Sequence, residues 1–471
     1  MKREINEECG VFGIYSATNQ DVAGVVYTGL YALQHRGQES CGIAVCSGGR
    51  IGLHKDVGLV GEVFTQKALD TINQGKMAIG HVRYGTTGSN DRDNAQPILT
   101  KHPACTMALV HNGNLVNALV LRRELESKGA IFNTTSDTEM ISHIIAGCCI
   151  KYGDTEKAVE KAMEILEGAY SIILMFCDRI IAIRDKRGFR PLCYGKTPSG
   201  DYIIASESCA LDSVNAYHIR DILPGEMVIF DENGVRSNTT HCNQSTPSPC
   251  IFEYIYFARP DSVLEGKSVQ QARINAGKFL AMEHPVEADI VIGVPDSGID
   301  GAIGYAARSG IPYGIGFIKN KYIGRTFIAP VQSAREQMVR IKLNPITRTV
   351  KGKRVVMIDD SIVRGTTMAY IVGLLRDAGA IEIHVRITSP PFLHPCYYGT
   401  DIDSAGKLIA SNHSIEEICK IIGADSLGYL NKDYLPLLIS DDIDHPICRA
   451  CFDGNYPTAL YGGESKDKFE C

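Results

Sequence analysis

The stretch 354–367 constrains the fold of this chain more than any other. Arg354-Val355-Val356-Met357-Ile358 reads as a strand that is apolar after its first residue. It runs directly into Asp359-Asp360-Ser361-Ile362-Val363-Arg364-Gly365-Thr366-Thr367. An apolar run of this kind, then a loop, then a helical pattern over 366–377, fits a strand buried on both faces of a parallel sheet. Gly379 reads as the residue just past that helix's end. The same order recurs at 289–294, with a helix reaching about residue 308, and a further strand is expected at 382–387. The expected architecture of this half is an α/β, doubly wound parallel sheet.

In open sheets of that type, ligands bind beyond the carboxyl ends of the strands. Arg364, Gly365, Thr366 and Thr367 offer backbone N–H groups, two hydroxyls and a helix N-terminus, which together make a phosphate cradle. Asp359 and Asp360 are placed to reach ribose hydroxyls and a magnesium ion, with Ser361 beside them. An isolated Asp pair would more simply cap a helix; the strand before it and the Gly-Thr-Thr after it favour a ligand. Pro295-Asp296-Ser297-Gly298 follows the strand at 289–294. It can hold pyrophosphate, with the Ser297 hydroxyl on magnesium, although alone it reads only as a turn. Lys319 to Ile328 is basic, glycine-hinged and aromatic, with Gln332, Arg335 and Arg340 beyond. It reads as a lid over 319–335, with Lys321 and Arg325 neutralising pyrophosphate. A nucleoside-triphosphate P-loop ending at Glu265-Gly266-Lys267-Ser268 is discarded, because Asp261 stands where its first glycine belongs.

The polar, proline-broken segment 239–249 reads as a linker. Before it, short β-rich runs at 10–15, 42–46, 77–81, 107–111, 171–177, 179–184, 202–205 and 226–230 alternate with turns. Helical patterns at 115–128 and 155–166 lie between them. Two sheets covered by helices fit this pattern, though period alone does not decide the layering. Cys9 precedes the first strand, and a structural thiol is the default reading of such a residue. The residues downstream favour chemistry: Gln34-His35-Arg36-Gly37, Gly80-His81-Val82-Arg83, Asn94-Ala95-Gln96-Pro97, His111-Asn112-Gly113 and Ser136-Asp137-Thr138-Glu139. Amide hydrolysis of glutamine needs a nucleophile, a base, an oxyanion hole and clamps for the amino acid's two charges. Cys9 can attack, and an α-amine freed beside it titrates near neutrality. Asn112 and Gly113 can donate to the oxyanion. Arg83 can pair with the substrate carboxylate and Asp137 with its ammonium.

The segment at 354–367 resembles the PRPP (phosphoribosylpyrophosphate) motif of type I phosphoribosyltransferases. The ordered set around Cys9 resembles the N-terminal-nucleophile, class II glutamine amidotransferases, whose sheets form an αββα sandwich. One chain joining the two is identified as a member of the glutamine PRPP amidotransferase family. Further matches are Arg184-Asp185, Arg187 to Leu192, Ala205 to Ser208 and Phe257 to Ser262; Cys41 departs from the small residue expected there. The resemblance implies a propeptide at 1–8, a glutamine domain at 9–240 and a phosphoribosyltransferase domain at 241–471. It also implies transfer of ammonia from glutamine to PRPP, giving 5-phosphoribosylamine at the start of purine synthesis, with purine nucleotides as inhibitors and a homotetramer as the assembly. Two alternatives are weighed: a different class II amidotransferase, which would lack the 359–367 signature, and a non-catalytic nucleotide sensor, which would have lost a nucleophile, oxyanion donor or acid pair.

Sixteen cysteines in 471 residues without an apolar leader do not suggest a secreted disulfide scaffold, so a cytoplasmic location is expected. No apolar run is long enough for a membrane span. The formal net charge of −6 disfavours a nucleic-acid surface. Cys448 and Cys451 form a C-x-x-C; by spacing alone zinc is favoured. The resemblance instead implies that Cys250, Cys396, Cys448 and Cys451 hold a [4Fe–4S] cluster, tying down the C-terminal tail. The remaining cysteines are expected to be mostly core thiols.

Overall fold

The computed structural model describes residues 9–72, 74–84, 91–320, 343–400, 402 and 404–461. In the first half, β1 (Gly10–Asp21) lies between β2 (Gln74–Arg83) and the strand Tyr202–Ala205 in a seven-stranded antiparallel sheet. A six-stranded antiparallel sheet contains β3 (Cys105–Leu115) paired with β4 (Gly168–Met175). Period-2 alternation assigns each face. Val11, Ala108, Val110, Ile173 and Met175 meet between the sheets. Phe12 and Ile14 point outward onto helix α1 (Val22–Ala32), against Val26 and Leu30. Met107, Leu109, Tyr170, Ile172 and Leu174 point the other way, onto α2 (Asp137–Tyr152) and α3 (Thr155–Ile165). The result is the expected αββα sandwich.

Local chemistry sets the helix ends. Asp21 and Asp154 accept from the N–H groups of Gly24 and Lys157 at 2.9 and 2.7 Å, and α2 stops at Gly153, whose φ is +70°. The helix expected from 115 starts only at Ala118, because Leu115 still pairs with Gly168 in the sheet. Glu265 and Gly266, set aside above as a false P-loop, turn a two-stranded hairpin with φ of +50° and +73°.

In the second half β5 (Ile290–Gly293), β6 (Arg354–Asp359), β7 (Glu382–Ile387) and β8 (Ser426–Tyr429) run parallel in that order. Tyr313 bridges Val291 in parallel on the far side of β5. The chain therefore steps outward after β5 and returns inward at β6, which makes the β5/β6 boundary the topological switch point. Ile290, Ile292, Val355 and Met357 pack on α6 (Thr366–Asp377) and α7 (Ile415–Ile422). Val291, Val356 and Ile358 pack on the opposite face, against α4 (Val269–Glu283) and α5 (Gly298–Ser309). These last two helices touch backbone to backbone: a Cβ on Gly277 would lie 1.9 Å from the Gly301 carbonyl oxygen.

The halves meet over a buried ion cluster. Arg36 donates from Nη1 to Glu207 at 2.6 Å and from Nη2 to Glu253 at 2.8 Å. Glu207 also accepts from His35 at 2.8 Å, the Ser262 hydroxyl at 2.7 Å and the Arg259 N–H at 2.9 Å. Arg190 reaches Glu253 at 3.4 Å. Burial by itself would raise the Glu207 pKa, but the adjacent charges of His35 and Arg36 outweigh it and hold the carboxyl below its ordinary value.

Two stability measurements test these contacts. Gly277→Ala must push α4 off α5 and is expected to cost about 1–3 kcal/mol in thermal or denaturant unfolding. Because the folded Glu207 pKa lies below its unfolded value near 4.5, its contribution is complete above about pH 4.5 and is lost as pH falls further. Glu207→Gln is expected to lower stability at pH 7 by about 3–5 kcal/mol and to flatten the loss of stability below that pH.

Candidate active sites

Cys9 stands immediately before β1, whose first residue, Gly10, pairs with Val82. That register brings the thiol to the end of β2, where its Sγ lies 3.5 Å from the Tyr84 carbonyl oxygen, next to buried Arg83. The backbone on either side is held: the Cys9 carbonyl accepts from Arg36 Nε at 3.0 Å, and the Val11 N–H donates to Ser206 Oγ at 2.9 Å.

The second sheet supplies the rest at the same end of the sandwich. His81 of β2 bonds through Nε2 to the His111 carbonyl of β3 at 3.0 Å, joining the sheets one residue before Asn112. Burial, first of all, drives the His81 pKa down to about 3, so the ring is neutral. Asn112 is 1 % exposed, and its Nδ2 has no acceptor among the described residues. A buried amide donor in that state costs free energy unless something fills its place, and an oxyanion would. Gly113 has φ +143°, and a Cβ there would lie 2.1 Å from the Ala169 carbonyl oxygen, so only glycine fits. Asp137, the first residue of α2, accepts from the Leu115 N–H at 3.1 Å and lies 3.5 Å from His111 Nδ1. Burial would raise its pKa, but His111, the Leu115 N–H and Arg83 together lower it, so an anion stands near the cationic Arg83.

The site is backed by parts that sequence reading left without a role. Asn114 Nδ2 donates to the Tyr397 carbonyl at 2.9 Å, and a Cβ on Gly399 would lie 3.3 Å from the Gly113 carbonyl carbon. Arg190 holds the Tyr398 carbonyl at 2.7 Å. Gln96 binds both the N–H of His111, at 2.7 Å, and Thr138 Oγ1, at 3.0 Å. The His111 and Gln96 motifs were visible in sequence; the backing by 397–399 carried no local signal.

At the other centre, the loops after β5 and β6 leave the switch point side by side. The Val294 N–H donates to the Ile358 carbonyl at 2.9 Å, and Ser297 Oγ donates to Asp360 Oδ2 at 2.5 Å. Ser361 also donates to Asp360, and the Asp360 N–H donates to Asp359 Oδ1 at 2.9 Å. Burial raises the Asp360 pKa, while both hydroxyls and Arg273 act in the opposite direction. Pro295 and Asp296 lie on the outer part of the first loop, and Lys319 pairs with Asp296. Gly298 sits so close to the Ile358 carbonyl oxygen that a Cβ would come within 2.3 Å of it. Arg364 is half-buried; Gly365 takes φ +80° and opens α6, leaving Thr366 and Thr367 exposed at its N-terminus. All of these residues gather at one place, and the donor set is purely oxygen around the Asp359, Asp360 and Ser297 side chains. Lys321 and Arg325, with the rest of the expected lid from 321 on to 335, lie outside the described residues.

Cys250, Cys396, Cys448 and Cys451 line one small, largely apolar cavity with Phe189 and Tyr398. The backbones of Cys250 and Cys448 are joined by a parallel β-bridge, and the Tyr398 N–H points at Cys396 Sγ, 3.4 Å away. Among the described residues no three His, Cys, Asp or Glu side chains stand close enough to share a single metal ion. Four cysteines on one cavity match in number the thiolates that hold an iron–sulfur cluster. Of the other cysteines, Cys177, Cys242 and Cys419 are half-buried rather than core residues, and Cys471 lies outside the described residues.

A glutamine amidotransferase domain model matches residues 81–213, and a phosphoribosyl transferase domain model matches 266–390. Cys9 precedes the first of these. The amidophosphoribosyltransferase of Bacillus subtilis is 48 % identical over 462 residues, 97 % of this chain and 95 % of that one. That of Methanocaldococcus jannaschii is 47 % identical over 466 residues, covering 96 % and 98 %. The solved structure of glutamine PRPP amidotransferase from B. subtilis, complexed with ADP and GMP, superposes with a TM-score of 0.90 at 46 % identity, covering 98 % of this chain and 100 % of that one. A structure described as the allosteric regulatory enzyme of purine biosynthesis gives a TM-score of 0.91 at 46 % identity, covering 98 % and 99 %. The chain belongs to the amidophosphoribosyltransferase family, enzymes that join a glutamine amidotransferase domain to a phosphoribosyltransferase domain.

Proposed function

We propose that Cys9 releases ammonia from glutamine and that the second site transfers this ammonia to PRPP. The observation that carries the first half is the buried Asn112 amide with no acceptor among the described residues, beside a Gly113 that no other residue could replace. The Cys9 thiolate attacks the substrate amide carbon, and the α-amine freed by removal of residues 1–8 takes the thiol proton. Asn112 Nδ2 and the Gly113 N–H stabilise the oxyanion. The α-ammonium then gives that proton to the amide nitrogen as the C–N bond breaks, ammonia leaves, and water later cleaves the thioester to give glutamate. Arg83 holds the glutamine carboxylate and Asp137 its ammonium.

At the second site Pro295, Asp296, Ser297 and Gly298 hold pyrophosphate. Asp359 and Asp360 bind the ribose hydroxyls, and 361–367 cradle the 5-phosphate. A bound magnesium ion, on Ser297 and the Asp pair, would supply neutralising charge to the pyrophosphate. The ammonia lone pair attacks C1 as the bond to pyrophosphate breaks, with inversion, giving 5-phosphoribosylamine. Lys321 and Arg325 close over the pyrophosphate, and the lid walls a passage that keeps ammonia from water. The four cavity cysteines hold a [4Fe–4S] cluster with a structural role. Family membership supports a place at the start of purine synthesis, purine nucleotide control, a homotetramer and a cytoplasmic location.

Scoring glutamate and pyrophosphate together tests this reading. Equal, PRPP-dependent release supports it; glutamate without pyrophosphate would assign a different acceptor. Cys9→Ala is expected to abolish glutamine use but keep ammonia-dependent synthesis. Asp359→Asn is expected to stop PRPP use but keep basal glutamine hydrolysis. For the cluster, protein purified without air should contain iron and labile sulfide in equal amounts, and their absence rules the cluster out.

A further inference from the structure

Glu253 belongs to the phosphoribosyl half, yet its carboxylate ends one bond network away from the glutamine nucleophile. It stands in a π-helical turn, Glu253–Phe257, and is 2 % exposed. Its two oxygens accept from Arg36 Nη1 at 3.0 Å and Nη2 at 2.8 Å, a fork-to-fork pair. The third nitrogen of the same guanidinium, Nε, donates to the Cys9 carbonyl at 3.0 Å. A planar guanidinium with all three nitrogens engaged cannot rotate without breaking one of these bonds. The Cys9 carbonyl plane in turn orients the Cα–Cβ bond that carries the thiol.

The charge of Arg36 alone does not require this arrangement, since Glu207 already pairs with its Nη1 at 2.6 Å, while Glu253 also faces Arg190 Nη1 at 3.4 Å. Glu207 accepts from Arg36 at Nη1 and is shared with His35, Ser262 and the Arg259 N–H. Glu253 is the group that spans Nη1 and Nη2 and so sets the plane. Its turn is itself clamped: Arg273 of α4 gathers the carbonyls of Tyr254, Tyr256 and Ala258 at 3.0, 2.9 and 2.7 Å.

We propose that Glu253 is a positioning residue for glutamine hydrolysis, orienting the Cys9 nucleophile through Arg36. The inference rests on Cys9 being the nucleophile. A displaced nucleophile loses rate rather than substrate affinity, because Arg83 and Asp137 bind glutamine independently of it.

The test uses the full-length, processed enzyme carrying Glu253→Gln, which keeps the volume but puts a donor against a donor. The expected result is a fall of about tenfold or more in glutamine kcat, with KM nearly unchanged and ammonia-dependent phosphoribosylamine formation retained. Alkylation of Cys9 by a glutamine-like chloroketone should slow in parallel. Glu253→Asp, which keeps the charge but, one methylene shorter, withdraws the carboxylate from Arg36, should show the same split and serves as the variant if Glu253→Gln does not fold. Unchanged kcat in a folded variant overturns the proposal, as does an equal loss of the ammonia-dependent reaction, which would mark Glu253 as merely structural. Glutamine use surviving in Cys9→Ala would overturn the nucleophile assignment and this inference with it.

Discussion

Two arginines and two glutamates, shut away from solvent at the seam between the halves, are the constraint from which much of the architecture follows. Such a cluster is stable only if every charge is paired and every remaining donor has an acceptor. Arg36, Arg190, Glu207 and Glu253 meet that condition by drawing on both halves of the chain: His35 and the Cys9 carbonyl from one, Ser262, the Arg259 N–H and the Tyr398 carbonyl from the other. Partners from both halves complete the cluster, so the seam fixes how the halves face each other. An apolar seam would hold the halves together as well but would orient nothing.

The same seam explains why the cysteine cavity lies where it does. Phe189 stacks on Tyr398 at 4.1 Å, and both line the cavity of the four thiols. The next residue, Arg190, holds the Tyr398 carbonyl, and Gly399 packs on Gly113. The segment after Cys396 is therefore a back wall for the strand that carries Asn112 and Gly113. Gly113 is thereby tied through 397–399 to the segment that carries Cys396.

The phosphoribosyl site owes its form to a different constraint. Strand order reverses between β5 and β6, so two loops diverge there and leave a crevice. A small residue lets them approach: Gly298 sits where a side chain would strike the Ile358 carbonyl. The acid pair and the Ser297 hydroxyl then converge by topology rather than by sequence proximity.

Much of this was legible from the chain alone. The apolar strand ending in Asp359-Asp360 identified a parallel sheet and its ligand end, because a strand buried on both faces must be apolar throughout and its loop must carry the chemistry. Cys9, Arg83, Asn112, Gly113 and Asp137 were legible as an ordered set of residue types suited to one reaction. Helix α1 was missed because Val22 to Ala32 is nearly all apolar or small and has no polar face for a 3.6-residue period to reveal. Only the tertiary structure decided which charges meet at the seam, that 397–399 backs the strand carrying Asn112 and Gly113, and that Glu253 grips the arginine bonded to the Cys9 carbonyl. Those contacts join residues up to several hundred positions apart. Local propensity and periodicity report a residue's neighbours along the chain, whereas a buried ion's partners are chosen by whichever elements the fold packs around it.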